Sequence, residues 1–208
     1  MITDQGIARR SVLMGMSALA LSGCSSIVPT PQQPQLYLLN PNLMPPAGPP
    51  VRWRLSVATP DASAALDNTR IALVRTPTTM DYYANAAWQD RVPLMIQRLL
   101  IRAFESSGRI LSVDRDTAGI ESDYVLDTEI RDFAAHYEGG NPAVQVTIQA
   151  KMITMPVRDI VATFTANQRS EASANTVDAV VTAFNTATAA AITQIVGWSF
   201  GLPAPMRG

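Results

Sequence analysis

Between Ala143 and Met155 every second residue is apolar. Val144, Val146, Ile148, Ala150 and Met152 alternate with Gln145, Thr147, Gln149 and Lys151. A period of two puts these sets on opposite faces of a β-strand, one dry and one wet. A sheet wetted on one face needs a cover on the other, so the rest of the chain must supply neighbouring strands and an apolar layer. Tyr124 to Phe133 repeats the pattern, with Leu126, Thr128 and Ile130 opposed to Asp127, Glu129 and Arg131. Ile160, Ala162 and Phe164 repeat it again, facing inward. Glu138-Gly139-Gly140-Asn141-Pro142 and Pro156-Val157-Arg158-Asp159 are turn-like, so this half reads as an antiparallel meander.

Two segments carry helical spacing. Val92, Ile96, Leu99, Leu100, Ala103 and Phe104 predict a helix over 91–107, with Asp90 as N-cap, Pro93 in the first turn and Gly108 as the stop. Val177, Val181, Phe184, Thr188, Ala191, Ile195 and Trp198 form one stripe of a second helix over 176–199, the expected cover of the meander. Its outer face carries Thr, Asn and Gln with almost no charge. That pattern suits contact with another protein surface, and a packed alanine- and threonine-rich helix accounts for it too. Further strands are expected over Arg52–Ala58, Ile71–Val74 and Ile110–Val113, with Met80–Trp88 a strand or loop. The predicted class is α+β, a largely antiparallel sheet under two helices.

The N-terminus differs. Arg9-Arg10 precede about ten apolar or small residues from Val12 to Ala20, too few for a bilayer span of about 20 residues. Leu21-Ser22-Gly23-Cys24 follows and resembles a bacterial lipobox. The expectation is cleavage between Gly23 and Cys24 with covalent lipid on Cys24, the sole cysteine of the chain. Two or three acyl chains anchor stably where one holds only marginally. No aspartate follows the cysteine, which suggests sorting to the periplasmic face of the outer membrane. Arg9-Arg10-Ser11-Val12-Leu13 fits either twin-arginine or general export.

Residues 24–50 are rich in proline and read as a lipidated tether. Within it Leu36-Tyr37-Leu38-Leu39 could add a short edge strand to the domain. A folded domain is expected over 51–202, with 203–208 as a tail. Beyond the signal segment 14 basic residues face 16 acidic ones, so nothing points to nucleic acid. His136 is the only histidine, and there is no Gly-x-Ser-x-Gly elbow or phosphate-binding glycine loop. No metal, no cofactor beyond the lipid on Cys24 and no catalytic residues are expected. Asp114, Asp116, Glu121 and Asp123 lack the spacing of a calcium loop and read as a solvated cluster. Tyr82, Tyr83 and Trp88 are candidate partner-binding aromatics, and core packing explains them equally well.

The order of elements then resembles the PqiC-like ABC-type transport auxiliary lipoproteins. The resemblance rests on the lipobox and proline-rich leader, Leu36-Tyr37-Leu38-Leu39, Arg70-Ile71-Ala72-Leu73-Val74, Met80-Asp81-Tyr82-Tyr83 and Ala87-Trp88-Gln89-Asp90-Arg91-Val92-Pro93, followed by the meander and last helix. It implies a mixed sheet with packed helices, similar to the N-terminal domain of TolB. It also implies a non-enzymatic outer-membrane lipoprotein working with a periplasmic protein of the mammalian-cell-entry type in ABC-driven lipid transport between membranes. Self-association is compatible with it. A lipid-binding module that itself carries an acyl chain is the alternative, and it needs an apolar cavity between sheet and helices.

Overall fold

The longest strand organises the sheet. Strand β7 (Tyr124–His136) pairs antiparallel along its whole length with β8 (Ala143–Thr154), which pairs with β9 (Asp159–Glu171). This is the meander expected from the alternation. On its other side β7 is shared end to end by three short parallel partners: β2 (Arg54–Val57), β3 (Asp61–Ala62) and β4 (Arg70–Thr76). From β2 the sheet extends to β6 (Ser112–Arg115) and from β4 to β5 (Thr79–Trp88) and β1 (Gln35–Tyr37). The long pairings are antiparallel and most of the short ones parallel, so the sheet is mixed. The structure, a computed structural model, describes residues 33–119 and 121–204, and within these nine strands form the sheet. The signal segment, Gly23, Cys24, most of the 24–33 stretch and residues 205–208 lie outside the described residues.

Helices α1 (Val92–Ser106) and α2 (Val177–Phe200) cover one face, within a residue or so of the expected spans. Thr176 Oγ1 accepts the Ala179 N–H as N-cap of α2, and Asp178 sits in its first turn. α1 lacks the expected cap: Arg91 occupies the N-cap position, while Asp90 accepts the Arg91 N–H at 2.8 Å and pairs with Arg98 at 2.9 Å. Gly108 ends the helix at φ 62°, a conformation glycine adopts without a Cβ penalty. By length and composition α2 could cross a membrane, but it is a core helix. Phe184, Ala191, Ile192, Ile195 and Val196 are fully buried in the core formed with β8 and its neighbours.

The far face of the sheet is polar. Lys151 reaches Asp127 across the β7–β8 pair at 3.5 Å, and Arg131 reaches Glu129 at 3.1 Å. A register shift between Met152 and Ile153 changes the phase of β9, so Ile160, expected inside, is 57% exposed.

The tether expected as far as Pro50 is folded from Pro34 onward. After β1, residues 38–50 run as a strap beside both helices. The Asn40 N–H donates to Asn185 Oδ1 on α2 at 2.8 Å. Arg102 of α1 donates to Asn40 Oδ1 and the Pro41 carbonyl, and Arg109 donates to the carbonyls of Pro46 and Pro49. Leu39 and Pro41 are buried. Proline removes N–H donors but leaves carbonyls free to accept, so a segment without regular structure can still be held by arginines. The strap also covers part of the uncharged outer side of α2, with Pro46 Cγ close above Gly197. A segment of this same chain therefore occupies part of the surface expected to meet another protein.

Candidate functional site

The three aromatics singled out from sequence part company. Trp88, the last residue of β5, is 1% exposed and packs edge-on against Phe184 of α2 at 5.1 Å and against Phe133 of β7 at 6.0 Å. Alternation along β5 turns it toward the helices, where it helps fill the space between sheet and α2. It is a core residue and offers no surface to a partner.

Tyr82 lies on the opposite face, its backbone paired with Ala72. Its hydroxyl donates to the Ala65 carbonyl at 3.0 Å, and the Arg70 guanidinium sits 3.5 Å from the ring centroid. Tyr83 points the other way and shares a 2.9 Å hydrogen bond with the Tyr137 hydroxyl, which donates to Asn175 just before α2. Burial, then the Tyr137 bond, pushes the Tyr83 phenol well above the ordinary tyrosine range, so it stays a neutral hydrogen-bonding group. Between Tyr82 and Ala87 the register with β4 slips, and Asn85 takes φ 54°. That bulge in Tyr83-Ala84-Asn85-Ala86 breaks the plain alternation of β5. Tyr82 and Tyr83 are both half-buried and engaged by their own chain, leaving only their edges for a partner.

The chemistry-bearing groups are held in pairs. His136 Nε2 lies 3.0 Å from Asp132 Oδ2 on the polar face. Burial raises the Asp132 carboxyl above its ordinary value, with the His136 charge and hydrogen bond opposing it. In the acidic loop, Asp123 accepts the Arg54 backbone N–H at 2.7 Å and Glu121 meets the Arg54 guanidinium at 3.2 Å. Asp114 accepts the Arg115 N–H. Among the described residues no three His, Cys, Asp or Glu side chains come together as a metal site would require.

Sequence reasoning missed the strap. The available signal was the pair Arg102 and Arg109 near the C-terminal end of α1, cations lying close to a proline-rich stretch dense in acceptor carbonyls.

Comparison with known proteins bears directly on identity. The model of the family described as "ABC-type transport auxiliary lipoprotein component" matches residues 37–196. The fold is similar to the crystal structure of protein XCC0632 from Xanthomonas campestris, with 34% identity, a TM-score of 0.75, and coverage of 79% of this chain and 94% of that one. A second crystal structure, of an uncharacterized protein, shares the fold at TM-score 0.63 and 12% identity, covering 81% of this chain and 99% of that one. No curated protein matches the sequence. The family match begins at Tyr37, inside β1, so it takes in the strap as well as the sheet and most of α2. The chain belongs to the ABC-type transport auxiliary lipoprotein family.

Proposed function

We propose that this protein is a non-enzymatic adaptor. Lipid on Cys24 holds it at the periplasmic face of the outer membrane, and it docks a mammalian-cell-entry-type periplasmic protein of an ABC system moving lipid between membranes. The observation that carries this reading is the family match over residues 37–196, joined to the lipobox at Leu21–Cys24. The alternative, a module carrying an acyl chain in its interior, needs room between sheet and α2, where Trp88, Phe133 and Phe184 meet ring to ring.

The test is capture of the soluble region of a mammalian-cell-entry protein from the same organism by the full mature chain. Capture weakened by Tyr82→Ala, with unfolding behaviour close to wild type, is expected. No capture by the wild-type protein overturns the proposal.

A further inference from the structure

Edge strand β1 and the residue that follows it expose two large aliphatic side chains. Leu36 is 63% exposed and Leu38 60%. They sit two residues apart, so they project to the same side of the strand, while Tyr37 between them turns toward Trp88 and the core. Among the described residues β1 pairs only with β5, so no described strand lies along its other edge. Edge strands are normally blunted with charge, yet Gln35-Leu36-Tyr37-Leu38-Leu39 carries none.

The covalent chain limits what can cover this edge. Only nine residues, and so ten residue-to-residue steps, separate Cys24 from Pro34, where the folded unit begins. At about 3.5 Å per residue their reach is at most about 35 Å in any conformation. A folded unit of this size is about 40 Å across. If Cys24 is anchored, the pole opposite Pro34 therefore cannot touch the bilayer, whereas the β1 side can lie on it at no cost in chain extension. The apolar pair next to the anchor is thus on the side that the short tether always lets reach lipid. Val157, 69% exposed in the turn between β8 and β9, lies about four to five strand spacings from β1, about 20–24 Å across the sheet.

We propose that the β1 edge, through Leu36 and Leu38, rests in the surface of the same bilayer that holds the acyl chains of Cys24. The arrangement gives the domain a fixed orientation: β1 lies against lipid while β9, at the other side of the sheet, points toward the periplasm. It rests on lipidation of Cys24, as proposed above.

The sequence supplies a clean probe. Once Cys24 is acylated no free thiol remains, so Leu36→Cys, Leu38→Cys and Val157→Cys each introduce a unique labelling site on an exposed side chain. Each full-length protein, purified from membranes and labelled with bimane, is reconstituted into phosphatidylethanolamine/phosphatidylglycerol vesicles with brominated acyl chains. Quenching several-fold stronger at 36 and 38 than at 157 is expected. Proteins that float with the vesicles but show no quenching at 36 and 38, or equal quenching at 157, overturn this proposal alone. Failure to float overturns lipid anchoring and this proposal with it.

Discussion

Arg109 is the residue on which the strap most depends. Its Nε donates to the Pro49 carbonyl at 3.0 Å and one terminal nitrogen donates to the Pro46 carbonyl at 3.2 Å. The guanidinium carbon lies 4.1 Å from the centroid of the Phe200 ring at the end of α2. Arg109→Ala removes all three contacts and leaves the Val51 N–H bond to the Arg109 carbonyl intact. Charged donors in a buried site would contribute about 1.5–3 kcal/mol each, but these lie at a partly wetted rim, so about 0.5–1 kcal/mol each is appropriate. Guanidinium–ring stacking adds about 0.5–1 kcal/mol. The expected loss is about 2 kcal/mol, a fall in Tm of about 4–8 °C for a domain of this size. Thermal and urea unfolding of the mature chain measure it, and limited proteolysis should show earlier cleavage within residues 40–50. Gly48→Ala offers an independent check, since a Cβ there would lie 2.7 Å from the same guanidinium carbon and displace it. If Arg109→Ala unfolds within about 1 °C of wild type and is cut no faster, the strap is not held as described.

Other outcomes follow from the packing. Trp88→Ala should cost about 3–5 kcal/mol in urea unfolding, whereas Tyr82→Ala, losing one rim hydrogen bond and part of a ring contact, should cost about 1 kcal/mol. Equal losses would contradict their assignment to core and surface. Thr188 Oγ1 on α2 is fully buried without a protein partner, so Thr188→Val should stabilise the fold by about 1 kcal/mol in the same assay. Burial raises the Asp132 pKa, so the folded state binds its proton more tightly than the unfolded state does. That contribution is complete below the ordinary aspartate pKa of about 3.9 and is lost as pH rises through the raised value. Relative to Asp132→Asn, wild-type stability should therefore decline between acid and neutral pH; a rising difference would reverse the assignment. Asp90 behaves oppositely. The Arg91 N–H and Arg98 hold its pKa down, so its contribution is present above about 3.9 and is lost as pH falls through the lowered value. Asp90→Asn should narrow the gap to wild type only in acid.

Much of the fold is written locally. Both helices and the three meander strands follow from residue spacing, because burial on one side imposes a period of 3.6 or 2 on each element. What spacing does not encode is pairing order. Nothing in Arg54–Val57, Asp61–Ala62 and Arg70–Thr76 announces that all three dock, in parallel, along one flank of β7. Bulges hide similarly: the shift at Met152/Ile153 moves Ile160 into solvent without altering the apolar pattern. The strap was illegible because prolines between residues 41 and 50 exclude regular structure but say nothing about packing, and its contacts come from Arg102 and Arg109, about 60 positions away. At the candidate site, sequence placed Trp88 and Tyr82 together as aromatics. Six residues apart, they would share a face by alternation alone; the bulge between Tyr82 and Ala87, visible only in the register with β4, sends Trp88 to the core and leaves Tyr82 at the surface.

The proposed function requires that lipid on Cys24 deliver this domain to the outer membrane. The most direct measurement is the intact mass of the mature protein recovered from separated inner and outer membranes, beside a Cys24→Ser variant. A chain beginning at Cys24, heavier by its acyl groups and found in the outer-membrane fraction, is expected, with the variant unacylated and released from that fraction. An unmodified mature chain, or a variant that fractionates as wild type does, would contradict the account.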